Sequence, residues 1–418
     1  MFLEFRCGGG GCRGMLSRVA RLSPMFADLY TQPPPKRLKH AVPAELVQTF
    51  VVGLLGEEVH AKRVTSIANA VSGITLASTL TIQMIGQGLS VALGKDARHA
   101  TKQVDRLLSN AKLDVWELFA LWVPFVLAER TEAVVAINWT DFEPDDHVTC
   151  AAHLITNHGR STALVWKTIQ KSELKGRQSA VETDVIERLH EVVPAKVRIT
   201  LLADRAFGDV ARYEHLEILG WDFVIRFRAG ILVEHDGVRQ PASAWVPPNH
   251  RTVMLRGAAV TGGGNEIGAV VCVRKPRMKE AWCLATSRRD DTGPEVVKLY
   301  SRRFTIEETF RDQKDLRFGF GMSATHIRDC GRRDRLLFLT CIAHALLTLL
   351  GAASEAIGYD RRLKVNTVKT RTHSLLRQGA YWFTMIPNYP TEKLAPLLVE
   401  FELQVKRHEV FKKLFGVL

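Results

Sequence analysis

Arg303, Glu307 and Lys314 follow Tyr300 at offsets of three, seven and fourteen residues. At about 100° per residue these offsets return to one narrow face of a helix, so the segment at about 294–314 is predicted to be helical. A phenol, a guanidinium, a carboxylate and an ammonium then stand in a row. The carboxylate can hold a divalent cation, while the phenol and the two cations can grip phosphate oxygens on either side of it. Such a face suits phosphodiester chemistry; a solvated amphipathic helix is the alternative these residues alone leave open.

The rest of the composition agrees with an anionic partner. Lys and Arg outnumber Asp and Glu by 57 to 44, for a formal charge of +13 and a pI near 9.5, which favours an extended polyanion such as nucleic acid. With 418 residues, 46% of them hydrophobic, the chain is long enough for two or three domains with substantial cores. No apolar run reads as long enough to span a bilayer, because the most apolar helix candidate, 336–350, is interrupted by Thr340, His344 and Thr348 and reads as a core helix. Residues 1–24 lack the continuous apolar stretch of a secretory signal, so a cytoplasmic location is expected. The seven cysteines, at 7, 12, 150, 272, 283, 330 and 341, form no Cys-x-x-Cys pair and read as reduced thiols rather than a zinc site.

Residues 1–40 combine a glycine run, Pro33-Pro34-Pro35 and scattered basic residues, and read as a disordered basic leader. From 41 to 129 apolar residues recur at three and four, the period of helices. Within that stretch, 79–89 and 97–110, joined at Gly94-Lys95-Asp96, suggest a helix-turn-helix pair whose second helix displays Arg98, Lys102 and Arg106. Such a helix can enter a major groove, and a basic helix that merely packs is the competing reading. Between 130 and 317 the pattern changes to strands at 133–138, 148–156 and 162–168, a helix at 178–192, a strand at 197–203, a helix at 210–219 and a strand at 223–227. A β-rich insertion is expected at about 229–286. Residues 318–418 return to helical periodicity with the basic clusters Arg332-Arg333, Arg361-Arg362 and Lys369-Thr370-Arg371, suited to phosphates, to a second protomer or to solvent. The fold class is therefore α/β, with helical domains on both flanks.

The order Tyr300, Arg303, Glu307, Lys314 resembles the signature helix of bacterial insertion-sequence-4 family DDE transposases. Lys102-Gln-Val-Asp105-Arg106, Ile137-Asn138-Trp139-Thr140-Asp141, Leu202-Ala203-Asp204, Trp282-Cys-Leu-Ala-Thr286 and Val365-Asn366-Thr367-Val368 are similar in order and spacing to its insertion-sequence-10 subgroup. The resemblance runs from about residue 45 to beyond 380. It implies an RNase H-like catalytic domain whose acidic triad holds two Mg2+ ions, with Mn2+ able to substitute, and performs in-line displacement at phosphorus.

On that resemblance Asp204 is the second catalytic aspartate and Glu307 the catalytic glutamate. The first aspartate belongs immediately before Trp139, where this chain has Asn138. An amide keeps the shape of a carboxylate but not its charge, so the chain is expected to bind DNA and to cleave it poorly. Asp141, three residues on, is expected to point to the opposite face of the strand. The resemblance further implies phosphate contacts for Tyr300, Arg303 and Lys314, stacking of Trp282 on a flipped base with a core tryptophan as the alternative, and recognition of transposon ends by Arg98, Lys102 and Arg106.

The implied activity is cut-and-paste transposition: binding of terminal inverted repeats, pairing of two ends in a homodimeric complex, strand cleavage, a hairpin intermediate and joining to target DNA. Two rivals stand beside it. One is a non-catalytic end-binding protein derived from a transposase, and the other is a different RNase H-like nuclease that cuts branched DNA.

Overall fold

The computed structural model describes residues 42–316 and 319–406; the expected leader at 1–40 lies outside the described residues. The described residues divide into two compact units, 42–129 with 312–406 and 130–311.

The first unit begins with α1 (Val42–Leu55), α2 (Ala61–Ala77), α3 (Ile82–Leu93), α4 (Ala97–Leu108) and α5 (Val115–Leu127). The α3–α4 turn is made where the sequence places it, although α3 starts three residues later and ends four later than the apolar pattern at 79–89 suggests. Gly94 ends α3 at φ +61°, and the Asp96 carboxylate caps α4 by accepting the His99 amide at 3.0 Å. Close approach of the two helices depends on Gly86, where a Cβ would meet the Thr101 Cα at 2.5 Å. Ala100, Val104, Leu107 and Leu108 face inward from α4, which leaves Arg98, Lys102 and Arg106 exposed.

The second unit is built on β1 (Glu132–Phe142), β2 (His147–Ile155), β3 (Ser161–Gln170), α6 (Gln178–Val192), β4 (Arg198–Ala203), α7 (Val210–Ile218) and β5 (Asp222–Phe227). These strands stand in the order β3-β2-β1-β4-β5, with β1, β4 and β5 parallel and the β1-β2-β3 meander antiparallel. Strand β1 runs four residues past the 133–138 expected for it, because the hairpin with β2 continues to pair as far as Phe142 and His147. Asn138 therefore lies inside a strand and not at its end.

The expected insertion contributes β6 (Leu232–His235), β7 (Val238–Pro241), β8 (Val253–Arg256), β9 (Ala259–Val260), β10 (Asn265–Glu266), β11 (Ala269–Val273) and β12 (Trp282–Thr286). Four of these form a separate small sheet, β10-β9-β6-β7, while β12, β11 and β8 extend the main sheet outward from β5 to eight strands. The unit closes with α8 (Gly293–Ser301), a 3₁₀ turn at Arg302–Phe304 and the start of α9 (Thr305–Lys314). The single helix expected at 294–314 is thus interrupted. The tighter turn accompanies burial of Tyr300 and Arg303, at 1% and 5% exposure, and Arg303 still reaches Glu307 four residues on.

The first unit resumes with α10 (Cys330–Ala356), α11 (Leu375–Met385) and α12 (Thr391–Lys406). By length and composition α10 could cross a bilayer, contrary to the sequence reading, because its apolar character continues past the interrupting Thr and His; 94% of its most apolar window is buried in this unit, of which it is the core helix. The basic clusters of this region are largely engaged internally. Arg332 pairs with Asp105 at 2.8 Å, Arg333 is buried, and Arg371 makes two 2.6 Å bonds to Glu355.

Helices α10 and α11 meet backbone to backbone. A Cβ at Gly379 would lie 1.7 Å from the Leu347 carbonyl oxygen, and one at Gly351 would lie 1.9 Å from that of Leu375. Gly379→Ala is expected to destabilise the helical unit by about 3 kcal/mol, the upper range of overpacking costs, measured by urea unfolding against wild type.

Candidate active site

Parallel pairing of β1 with β4 ends at Ile137 and Ala203, and the next residue on each strand is Asn138 and Asp204. Two of the three expected catalytic positions are thereby brought side by side, Asn138 inside β1 where its pairing with β4 stops and Asp204 just past the carboxyl end of β4. Asp204 is half-buried, and its Oδ1 accepts the Ala206 amide at 2.8 Å, closing the turn after β4.

Helix α9 lies over the same face of the sheet as the Asn138 side chain. Asn138 pairs with Ala151, and His153, two residues along β2, shares its face. The His153 ring meets the Phe310 ring edge-on at 5.1 Å, and Thr309 Oγ1 accepts the Ser161 amide at 2.8 Å. Glu307 sits one turn before these anchors. Glu308 turns to Arg311, at 3.0 Å. On the other face, Trp139 Nε1 donates to Glu182 at 2.8 Å, and Asp141 lies 3.5 Å from Lys171, as the strand alternation predicts.

Asp204 and Glu307 are linked through the segment between them. Arg303 Nη2 bonds Glu307 at 2.7 Å, with the Arg303 side chain 6% exposed and that of Glu307 45% exposed. Burial pushes the Tyr300 phenol above its ordinary pKa; Arg303 and Arg226 oppose that shift and the Asp204 carboxylate adds to it. Trp282 stands T-shaped on Tyr300 at 4.9 Å and tilted on Phe304 at 6.0 Å, and stays half-exposed. It is packed against the aromatic cluster on one side and open on another. Lys314 is the last residue of α9 and falls in the helical unit, as do Arg98, Lys102 and Arg106.

The donor set is oxygen only, which suits Mg2+ or Mn2+ over softer metals. Asp204 and Glu307 together carry charge for one divalent cation. Asn138 is a weak third ligand: its Oδ1 already accepts the Trp139 amide at 3.0 Å, and a neutral amide brings no charge to balance a cation. Among the described residues no three His, Cys, Asp or Glu side chains gather to hold a metal.

Sequence reasoning missed Arg226, Arg205 and Glu280. Arg226 extends from β5 to Glu280 at 2.6 Å, and Arg205, next to Asp204, reaches the same Glu280 oxygen at 3.2 Å. These two guanidiniums hold the Glu280 carboxyl below its ordinary pKa. No motif joins three residues so far apart in the chain.

Thr309→Val removes the hydroxyl that anchors α9 to β3. The expected cost is about 1–3 kcal/mol, with faster exchange of the Ser161 amide seen by NMR.

No curated protein matches the chain. Residues 167–346 match the family model described as Transposase DDE domain, a span that takes in Asp204 and Glu307 and starts beyond Asn138, so this part of the chain is similar to a DDE transposase domain.

Proposed function

We propose that this chain is a cut-and-paste DNA transposase of the insertion-sequence-4 type that binds terminal inverted repeats and is disabled for cleavage by Asn138. The observation that carries the reading is a buried guanidinium at the site: Arg303 Nε and Nη1 have no hydrogen-bond partner, while Nη2 holds Glu307. Orphaned buried N–H groups of a cation are costly, and a phosphate oxygen admitted by a small shift of this segment is an acceptor that matches the charge.

Asp204 and Glu307 would hold Mg2+, which when bound activates the attacking oxygen and steadies the leaving one. Around that centre the chain supplies orientation. Arg303 divides its donors between Glu307 and the incoming phosphodiester, and Tyr300, fixed by burial, adds a hydroxyl to the same backbone. Trp282 offers the open part of its ring to a base displaced from the duplex, which suits a route through a strained hairpin. Arg98, Lys102 and Arg106 contribute charge to end binding from α4, and Lys314 serves the phosphate backbone. Pairing of two ends by a homodimer completes the scheme.

An aspartate at 138 would bring the carboxylate count to three, enough to balance much of the charge of two divalent ions. Asn138→Asp is therefore expected to raise Mg2+-dependent cleavage of a labelled transposon-end duplex by about 100-fold, equivalent to about 2.7 kcal/mol of barrier. Equal cleavage by both proteins would sink the assignment of residue 138. The rival of an end-binding protein without cleavage predicts no gain from the reversion.

Lys102→Ala is expected to weaken duplex binding and to lower the slope of log affinity against log salt by about 0.9, read by fluorescence anisotropy between 50 and 200 mM salt.

A further inference from the structure

A basic recess lies wholly within the helical unit. It has a volume of about 560 Å³, and Ser78, Arg362, His373, Arg377, Tyr381 and Thr384 contribute to its wall. Among the described residues no carboxylate lines it. Two guanidiniums and an imidazole therefore share one concavity with a phenol and two hydroxyls, and the volume falls in the range of small-molecule sites.

Its walls are held in place. The Arg362 guanidinium lies 3.8 Å over the Tyr359 ring and donates to the Tyr389 hydroxyl. Tyr359 is itself tied down, its hydroxyl donating to the Lys393 carbonyl at 2.6 Å. His373 Nδ1 and Thr372 Oγ1 share a 2.9 Å bond. The Tyr381 ring stands edge-on to Trp382 at 5.4 Å and remains 45% exposed. A fixed cation, further basic groups and an accessible aromatic face are the two halves of a nucleotide site, one for phosphate and one for base stacking.

We propose that this recess binds one nucleoside phosphate unit, its phosphate between Arg362 and Arg377 and its base on Tyr381. The shared chemistry could come from a DNA strand or from a free nucleotide. The proposal rests on nucleic acid as the partner of this chain but not on the cleavage chemistry, so it is tested without magnesium.

The full-length protein in EDTA is irradiated with an oligonucleotide carrying 5-iododeoxyuridine, and the crosslinked peptide is mapped. Binding is followed in parallel by anisotropy for wild type, Arg377→Gln, Tyr381→Ala and Tyr381→Phe, with thermal unfolding checked for each. The expected result is a crosslink at Tyr381 that Tyr381→Phe retains and Tyr381→Ala loses, with affinity at least fivefold weaker in Arg377→Gln. Competition by deoxynucleoside monophosphate assigns the site to free nucleotide, and competition by oligonucleotide alone assigns it to a DNA strand. Crosslinks elsewhere, with Arg377→Gln folded and within twofold of wild-type affinity, overturn the proposal. So does inorganic phosphate competing as well as the nucleotide, because the base would then contribute nothing. Loss of end cleavage in any variant leaves this readout unchanged, so failure here is distinct from failure of the transposase reading.

Discussion

The parallel ladder between β1 and β4 is the constraint on which the site depends. Backbone hydrogen bonds fix its register, and its last pair sets Asn138 beside Asp204 whatever their side chains are. The position of these two residues is thus fixed by peptide groups, and on the proposed function their reactivity is left to side chains that the ladder does not need. A single amide-for-carboxylate exchange can alter the chemistry there without disturbing the fold. The same logic extends to α9, which is tied to the sheet by Thr309 and Phe310 and leaves Glu307, one turn away, free of any structural duty beyond its bond to Arg303.

Much of this was legible in the sequence because it is carried by local pattern. Alternating apolar residues located all five central strands, and the Gly94-Lys95-Asp96 turn located the α3–α4 pair, since glycine and aspartate at those places have specific backbone tasks. Legibility failed where nonlocal packing decided. The break at Arg302–Phe304 adjoins Tyr300, which is buried against Trp282, a contact between residues eighteen positions apart that helical periodicity does not register. The joining of β12, β11 and β8 to the main sheet likewise has no local sign, because a strand reads the same in either sheet. Arg226 and Glu280 escaped notice for a related reason: an ion pair is a property of two places in space, and composition reports only that both charges exist.

Charge shows the same division. A surplus of basic residues pointed to a polyanion, yet the conspicuous clusters differ in how far their charge is already engaged. Arg332 and Arg371 are paired with carboxylates of their own unit. The cation most suited to an anion is one whose neighbours hold it without neutralising it, such as Arg362 over its tyrosine.

The glycine contacts between α10 and α11 carry a mechanical consequence. Where helices meet through side chains, rotamer changes let them slide and tilt by small amounts. At Gly351 and Gly379 there is nothing to rearrange, since each backbone rests on a carbonyl of the other helix. Helix α11 is in effect bolted along one side, and the opposite side, bearing Arg377 and Tyr381, behaves as a stiff ledge. A partner arriving there meets groups whose positions are already decided, and gives up only its own freedom.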